Sequence, residues 1–238
     1  GVPQIFNATL MIEDANGCRD TVIHPVTVNP LPVVNFAANA ACTGSNSVFI
    51  DNSFSNGGVL DSWTWDFGDG IGTSALQDPV YTYATVMVPT NYNVNLEVTD
   101  VNGCIHDTTI QIVVNPLPIA SFNSISACSG FPSQFTDAST STGGNITDWN
   151  WEFGDGSGTS IIQNPSYQYA TTTSVTTYNV VLWVTDQNGC EDSVTMPATI
   201  YPSPVAAFVS DSVCSGSASQ FNDASTSMGG AITAWSWD

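Results

Sequence analysis

Along Asn91–Asp100 the chain alternates between apolar and polar side chains. Tyr92, Val94, Leu96 and Val98 fall on one side, and Asn93, Asn95, Glu97 and Thr99 on the other. A period of two marks a half-buried β-strand. The same alternation runs through Tyr178–Thr185 and Phe6–Ile12. Each of these segments ends in DVNGC, DQNGC or DANGC, where Asn-Gly supplies the positive-φ positions of a tight hairpin. A second strand follows and runs to NPLP, NPLP or YPSP. Pro-x-Pro lacks amide donors, so it ends sheet pairing and reads as a short, stiff linker. Further strands are expected at FNSIS, PSQFTDAS, WNWEF and PSYQYA. Trp63, Trp65 and Phe67 alternate onto one face, as do Trp149, Trp151 and Phe153, and these stripes are the expected core. Nothing has a helical period. Six or seven short strands per unit, with turn signals between them, predict an all-β sandwich.

The pattern is periodic on a larger scale. Trp65, Trp151 and Trp237 lie 86 residues apart, and so do Cys18, Cys104 and Cys190, and Cys42, Cys128 and Cys214. A fixed period of this kind is the signature of a repeat architecture. Two whole units are expected at 31–116 and 117–202. Residues 1–30 read as the back end of an earlier unit and 203–238 as the front end of a later one, so the chain reads as a slice of a longer array.

Charge narrows the partners. Against 21 acidic residues stands a single cation, Arg19, for a net charge of −20. Nucleic acid, whose phosphates need Lys and Arg, is excluded as a partner. Anionic membrane surfaces are disfavoured. No apolar run is long enough for a membrane-spanning helix. The absence of Lys also rules out Lys–Asn isopeptide crosslinks.

WDFGDG, followed by Tyr-x-Tyr and by YNVxLxVTDxxGC, resembles the PKD (polycystic kidney disease) module. The version with cysteine in both ACxG and NGC is similar to repeats of long secreted proteins of Bacteroidota-type bacteria. The resemblance implies tandem immunoglobulin-like sandwiches joined by Pro-rich linkers, a secreted or cell-surface location, and no catalysis. Calcium-binding modules of the family carry an S-x-D-x-D-G run before the tryptophan strand. Here the matching loops read SNGGV and STGGN, with Gly57, Gly58, Gly143 and Gly144 where aspartates would stand. No cofactor is therefore expected, and calcium only as a weak surface-bound ion.

The candidate sites follow. Asp66, Asp69, Glu152 and Asp155 are read as structural turn residues that cap amides, in preference to an acid/base pair. Trp183 and Val181 sit side by side on an outward strand face, with Met11 at the position matching Trp183. They are read as a lateral contact with another domain or chain, with sugar stacking as the alternative. The six cysteines suggest disulfides rather than metal. In an Ig-like sandwich the ACxG and NGC cysteines lie a strand length apart, which favours pairing across a junction, Cys42 with Cys190. By the same rule Cys128 would pair with a cysteine beyond Asp238 and Cys104 with one before Gly1, and Cys18 and Cys214 are further disulfide candidates. Pairing within a unit (Cys42–Cys104, Cys128–Cys190) and between chains remain open at this level. The expected function is a structural segment of an extracellular filament, surface fibre or stalk. Its partners are copies of itself, end to end and laterally. The alternative is an adhesin, carbohydrate-binding or spacer module of a larger secreted protein or hydrolase, with surface glycans as partners.

Overall fold

The computed structural model describes residues 1–39 and 41–238 and divides them into two compact units, Gly1–Pro116 and Leu117–Asp238. The first opens with a hairpin of β1 (Gln4–Glu13) and β2 (Arg19–Val28), paired from Gln4↔Val28 to Glu13↔Arg19. A full repeat follows: β3 (Phe36–Ala38), β4 (Ala41–Cys42), β5 (Asn46–Asp51), β6 (Leu60–Asp66), β7 (Thr73–Ser74), β8 (Val80–Thr82), β9 (Thr90–Asp100) and β10 (Ile105–Asn115). The second unit repeats this series as β11 (Phe122–Ile125), β12 (Ala127–Cys128), β13 (Ser133–Asp137), β14 (Ile146–Glu152), β15 (Thr159–Ser160), β16 (Ser166–Tyr167), β17 (Thr176–Asp186) and β18 (Glu191–Tyr201). It closes with β19 (Phe208–Ser210) and β20 (Phe221–Asp223).

Each repeat is a sandwich of two sheets. One has five strands in the order β4-β10-β9-β6-β7, and the other has three, β3-β5-β8. In the second repeat the corresponding orders are β12-β18-β17-β14-β15 and β11-β13-β16. The expected six or seven strands become eight because β4 and β7 have only two residues each, too few to show a period. Leu60/Ser62 and Ile146/Asp148 carry matching register shifts, a bulge retained in both copies.

The aromatic stripe is the core, as its alternation requires. Trp65, Phe49, Phe67, Val94, Leu96 and Val98 are buried, as are Trp151, Phe135, Phe153, Val180, Leu182 and Val184. Trp63 and Trp149, expected in the same core, are only partly buried and pack against its margin. The rings form a continuous run: Phe36 meets Trp65 edge-on at 5.0 Å, Phe67 stacks on Tyr81 at 4.1 Å, and Tyr83 stacks on Tyr92 at 4.6 Å. Their polar tips are satisfied. Trp65 Nε1 donates to the Leu76 carbonyl at 2.9 Å, and Tyr83 Oη donates to the Phe67 carbonyl at 2.9 Å. Trp151 and Tyr169 repeat these bonds with Ile162 and Phe153.

The hairpin turn differs from expectation in one respect. Only the glycine adopts positive φ (Gly17 at 83°, Gly103 at 77°, Gly189 at 78°), and no described non-glycine residue does. Gly103 N donates to the Asp100 carbonyl, and Asp100 N donates to the Cys104 carbonyl. This is the longer hairpin built on a type I turn with a left-handed glycine, which needs one such residue, whereas the two-residue turn needs two.

Ser47 and Ser133, with the partly buried Thr172, are exceptions to this satisfaction among the described residues. Both serine hydroxyls are buried with no hydrogen-bond partner. A buried donor without a partner costs about 1–3 kcal/mol. Ser133→Ala is therefore expected to be neutral or stabilising, whereas Trp151→Ala should lose about 3–5 kcal/mol. Urea unfolding of the two variants checks this, and a destabilised Ser133→Ala would contradict it.

Candidate functional site

The turn motif is built from backbone amides closing on carboxylates. Asp69 Oδ1 accepts from the amides of Ile71 (3.1 Å) and Gly72 (2.8 Å), and its Oδ2 accepts from Tyr81 Oη. Asp155 does the same with Ser157, Gly158 and Tyr167. Asp66 Oδ1 caps Gly68 N at 2.8 Å, whereas Glu152, one methylene longer and exposed, makes no corresponding bond among the described residues. Burial pushes the Asp69 and Asp155 carboxyls up, but the tyrosine hydroxyl and the turn amides outweigh it, and both lie below the ordinary carboxylate range. Tyr81 is pushed up to about 12, first by its bond to Asp69 and then by burial. Burial raises Tyr83 and Tyr169 as well.

The aspartates on the preceding strands have partners that the sequence reading missed. Asp51 Oδ2 accepts from Trp63 Nε1 (2.7 Å) and Gln77 Nε2 (3.2 Å), and its Oδ1 accepts from Ser53 N (2.9 Å). Asp137 and Asp223 likewise take Trp149 Nε1 and Trp235 Nε1. Also missed were Asp100 and Asp186, which are buried at the hairpin entrance. Asp100 accepts from Asn102 N and Cys104 N and from Ser55 Oγ (2.8 Å). Asp186 makes the same bonds to Asn188, Cys190 and Ser141. The signal was present: an Asp stands four residues before Cys18, Cys104 and Cys190. Among the described residues no three His, Cys, Asp or Glu side chains gather in a metal-holding group.

Trp183 and Val181 lie on the outer face of β17, half-buried rather than fully exposed. Trp183 is opposite Asn150 and Ser193 in the register, and Val181 is opposite Glu152 and Thr195. A shallow groove is lined by Trp183, Trp149, Asn150, Asp148, Glu152 and Glu191. The first repeat has no such face. There Glu97 replaces Trp183, and Asn95 Nδ2 donates to Asp107 Oδ2 (2.8 Å) and Thr109 Oγ1 (3.0 Å). Met11 is exposed on β1 opposite Thr21.

Cys42 and Cys190 are disulfide-bonded. Cys18, Cys104, Cys128 and Cys214 are free thiols. Neither within-repeat pair forms, because each would need Cys104 or Cys128. The register gives the reason. Cys42 is paired with Asn115 at the end of β10, whereas Cys104 follows β9 at the opposite end of the sheet. Ten residues at about 3.3 Å each separate those ends by roughly 33 Å, against the 7 Å or so that a disulfide tolerates between Cα atoms.

This geometry defines tandem immunoglobulin-like β-sandwich modules whose repeated polar residues serve the fold itself. The chain belongs to the PKD domain family, which matches residues 29–114 and 115–200. It is 32% identical to the PKD1 domain of Vibrio anguillarum Epp, covering 37% of this chain and 96% of that one, with a TM-score of 0.32. It is 30% identical to the PKD1 domain of the Vibrio cholerae metalloprotease PrtV, covering 35% and 96%, with a TM-score of 0.31.

Two outcomes follow. At Gly68 (φ 78°) an added Cβ would overlap the Asn93 backbone, whereas at Gly70 (φ 81°) it meets open space. Gly70→Ala should cost only the left-handed strain, about 1–2 kcal/mol. Gly68→Ala should cost clearly more, and equal losses in urea unfolding would contradict the turn packing. Stability should also be flat from about pH 5 to 9.5. Below that range it falls, because Asp69 and Asp155 stay ionised in the fold to lower pH than in the unfolded chain. Above about pH 10 it falls again, because the unfolded tyrosines ionise there while folded Tyr81 holds its proton to about 12. With no Lys to titrate, Tyr81→Phe should reduce the alkaline slope, and an unchanged slope would contradict the assignment.

Proposed function

We propose that this chain is a segment of an extracellular structural array, a filament, surface fibre or stalk in which each PKD module is a stiff bead. The observation that carries the reading is the destination of the polar residues. In each repeat the carboxylates that could do chemistry are spent on tryptophan, tyrosine, serine and backbone donors of the same module. The oxidised state of Cys42 and Cys190 supports a location outside the reducing cytosol. No helix among the described residues is long and apolar enough to cross a membrane. Stability in such an array is the sum of module and neighbour terms, so length can grow without a new core.

Trp183 and Val181 supply the lateral contact in this reading. An indole standing on an outer sheet face next to a valine is a local apolar spot on a chain of net charge −20. A second reading rests on the same groove. An indole flanked by Asn150, Asp148, Glu152 and Glu191 offers a stacking face and hydrogen-bonding groups to a neutral or amino sugar. The array would then be an adhesive stalk.

Electron microscopy of native material decides between fibre and spacer. A continuous fibre with an axial repeat on the order of 35–45 Å, one strand length plus a linker, or a small multiple of it, is expected. Isolated flexible strings ending in a distinct head would overturn the filament reading. Trp183→Ala should weaken lateral packing and leave the axial repeat unchanged. Loss of oligosaccharide binding with lateral packing intact would favour the second reading.

A further inference from the structure

The cysteines left free have a definite place in the fold. Cys128 ends β12, paired in parallel with Tyr201, the last residue of β18, immediately before Pro202 of the linker. It therefore stands where the chain leaves one repeat for the next. The same unit contains the start of that next repeat. Cys128 shares a groove with Tyr201, Pro202 and Pro204 and with Ser227, Gly229 and Gly230 of the following module. Gly229 approaches the linker so closely that an added Cβ would lie 3.0 Å from the Pro202 carbonyl oxygen.

The loop containing Gly229 has counterparts in both complete repeats, and there it holds the hairpin. Gly57 O accepts from Asn102 Nδ2 at 2.9 Å, and Gly143 O accepts from Asn188 Nδ2 at 2.7 Å. Ser55 and Ser141 of the same loops donate to Asp100 and Asp186. The hairpin cysteine, Cys104 or Cys190, comes two residues after that asparagine. A complete following repeat thus brings its hairpin cysteine to the loop that already lines the Cys128 groove. The unit that precedes agrees: Gly57 packs against Pro30, the linker that enters the first repeat, so the hairpin end faces the incoming linker.

We propose that the array is covalently stapled at every junction, the ACxG cysteine of each repeat bonding the NGC cysteine of the repeat that follows. Cys42 and Cys190 are one such pair. Cys128 is the donor end for the next repeat and Cys104 the receiving end for the previous one. The partner is therefore a further PKD repeat, in the same polypeptide or in a second copy docked end to end. Each staple forms when two thiols give up two protons and two electrons to a disulfide carrier, which is reduced to two thiols. The inference deepens the filament reading and rests on it, because an array without successive junctions has nothing to staple.

Disulfide mapping tests it. The protein is alkylated without reduction and cleaved at acidic residues, since with one Arg and no Lys trypsin is of no use. A joined Cys42–Cys190 peptide is expected. In native assembled material, Cys104 and Cys128 should be joined to peptides of flanking repeats, whereas in the 238-residue chain alone both should be alkylated. A Cys42–Cys104 or Cys128–Cys190 peptide overturns the proposal, and so does full alkylation of Cys104 and Cys128 in the native assembly. Thiol titration gives an independent reading. Against four free thiols in this chain, Cys190→Ser should add one and Cys104→Ser should remove one, and the reverse pattern overturns it. The outcomes separate from those for the filament: fibres with unlinked cysteines remove the staple alone, and stapled strings ending in a head remove the fibre alone.

Discussion

The constraint on which this fold turns is the near absence of cations. With 21 acidic side chains and one Arg, the one ion pair among the described residues is Arg19 with Glu13, at 2.7 Å and largely exposed. Every other carboxylate that is drawn toward the protein interior must be satisfied by neutral donors. The chain supplies five kinds: indole N–H to Asp51 and Asp137, glutamine N–H to the same two, phenol O–H to Asp69 and Asp155, serine O–H to Asp100 and Asp186, and backbone N–H to all six. Hydrogen bonds to a charged acceptor contribute more than neutral ones. They also dictate where the aromatics go. Trp63 stays at the core margin because its nitrogen must reach Asp51, while Trp65, whose partner is a carbonyl, can be fully buried.

That arrangement explains how the module holds its two ends. Asp69 ties the tight turn to Tyr81, and Tyr81 stacks on Phe67 in the core, so the turn is anchored through a ring and not only through its own amides. Asp100 ties the hairpin to Ser55, and Asn102 ties it again to Gly57. Both ends of the module are thereby fixed by side chains of the same repeat. Groups already ordered within the module lose little further conformational freedom when something packs on them.

Much of this was legible in the sequence. The period-2 runs gave β9 and β17 almost to the residue, and the 86-residue spacing gave the repeat. The short strands β4, β7, β12 and β15 were not legible, because two residues carry no period. The roles of Asp51 and Asp100 were not legible for a different reason. Their partners, Trp63 and Ser55, lie 12 and 45 residues away, and only folding brings them together. Periodicity reports which face a residue takes; it says nothing about which neighbour on that face it will meet. A repeat adds a clue, since an aspartate kept at one position through every copy is doing the same job each time, but the job itself must be seen in space.

The contrast between the two outer faces shows what repetition leaves free. The core positions of both repeats are filled by the same residue types in the same packing, Phe36 with Trp65 and Phe122 with Trp151. The outer face of the central strand is not held this way. Where the first repeat has Glu97 and an Asn95–Asp107–Thr109 network, the second has Trp183 and Val181. A substitution there costs the fold little, because outward side chains touch only their strand neighbours, and it changes what the module presents to its surroundings. Where the core and the spacing are held constant, such outward positions are the ones free to differ. The difference between Glu97 and Trp183 is therefore a difference in what each repeat presents to its surroundings and not in how it folds.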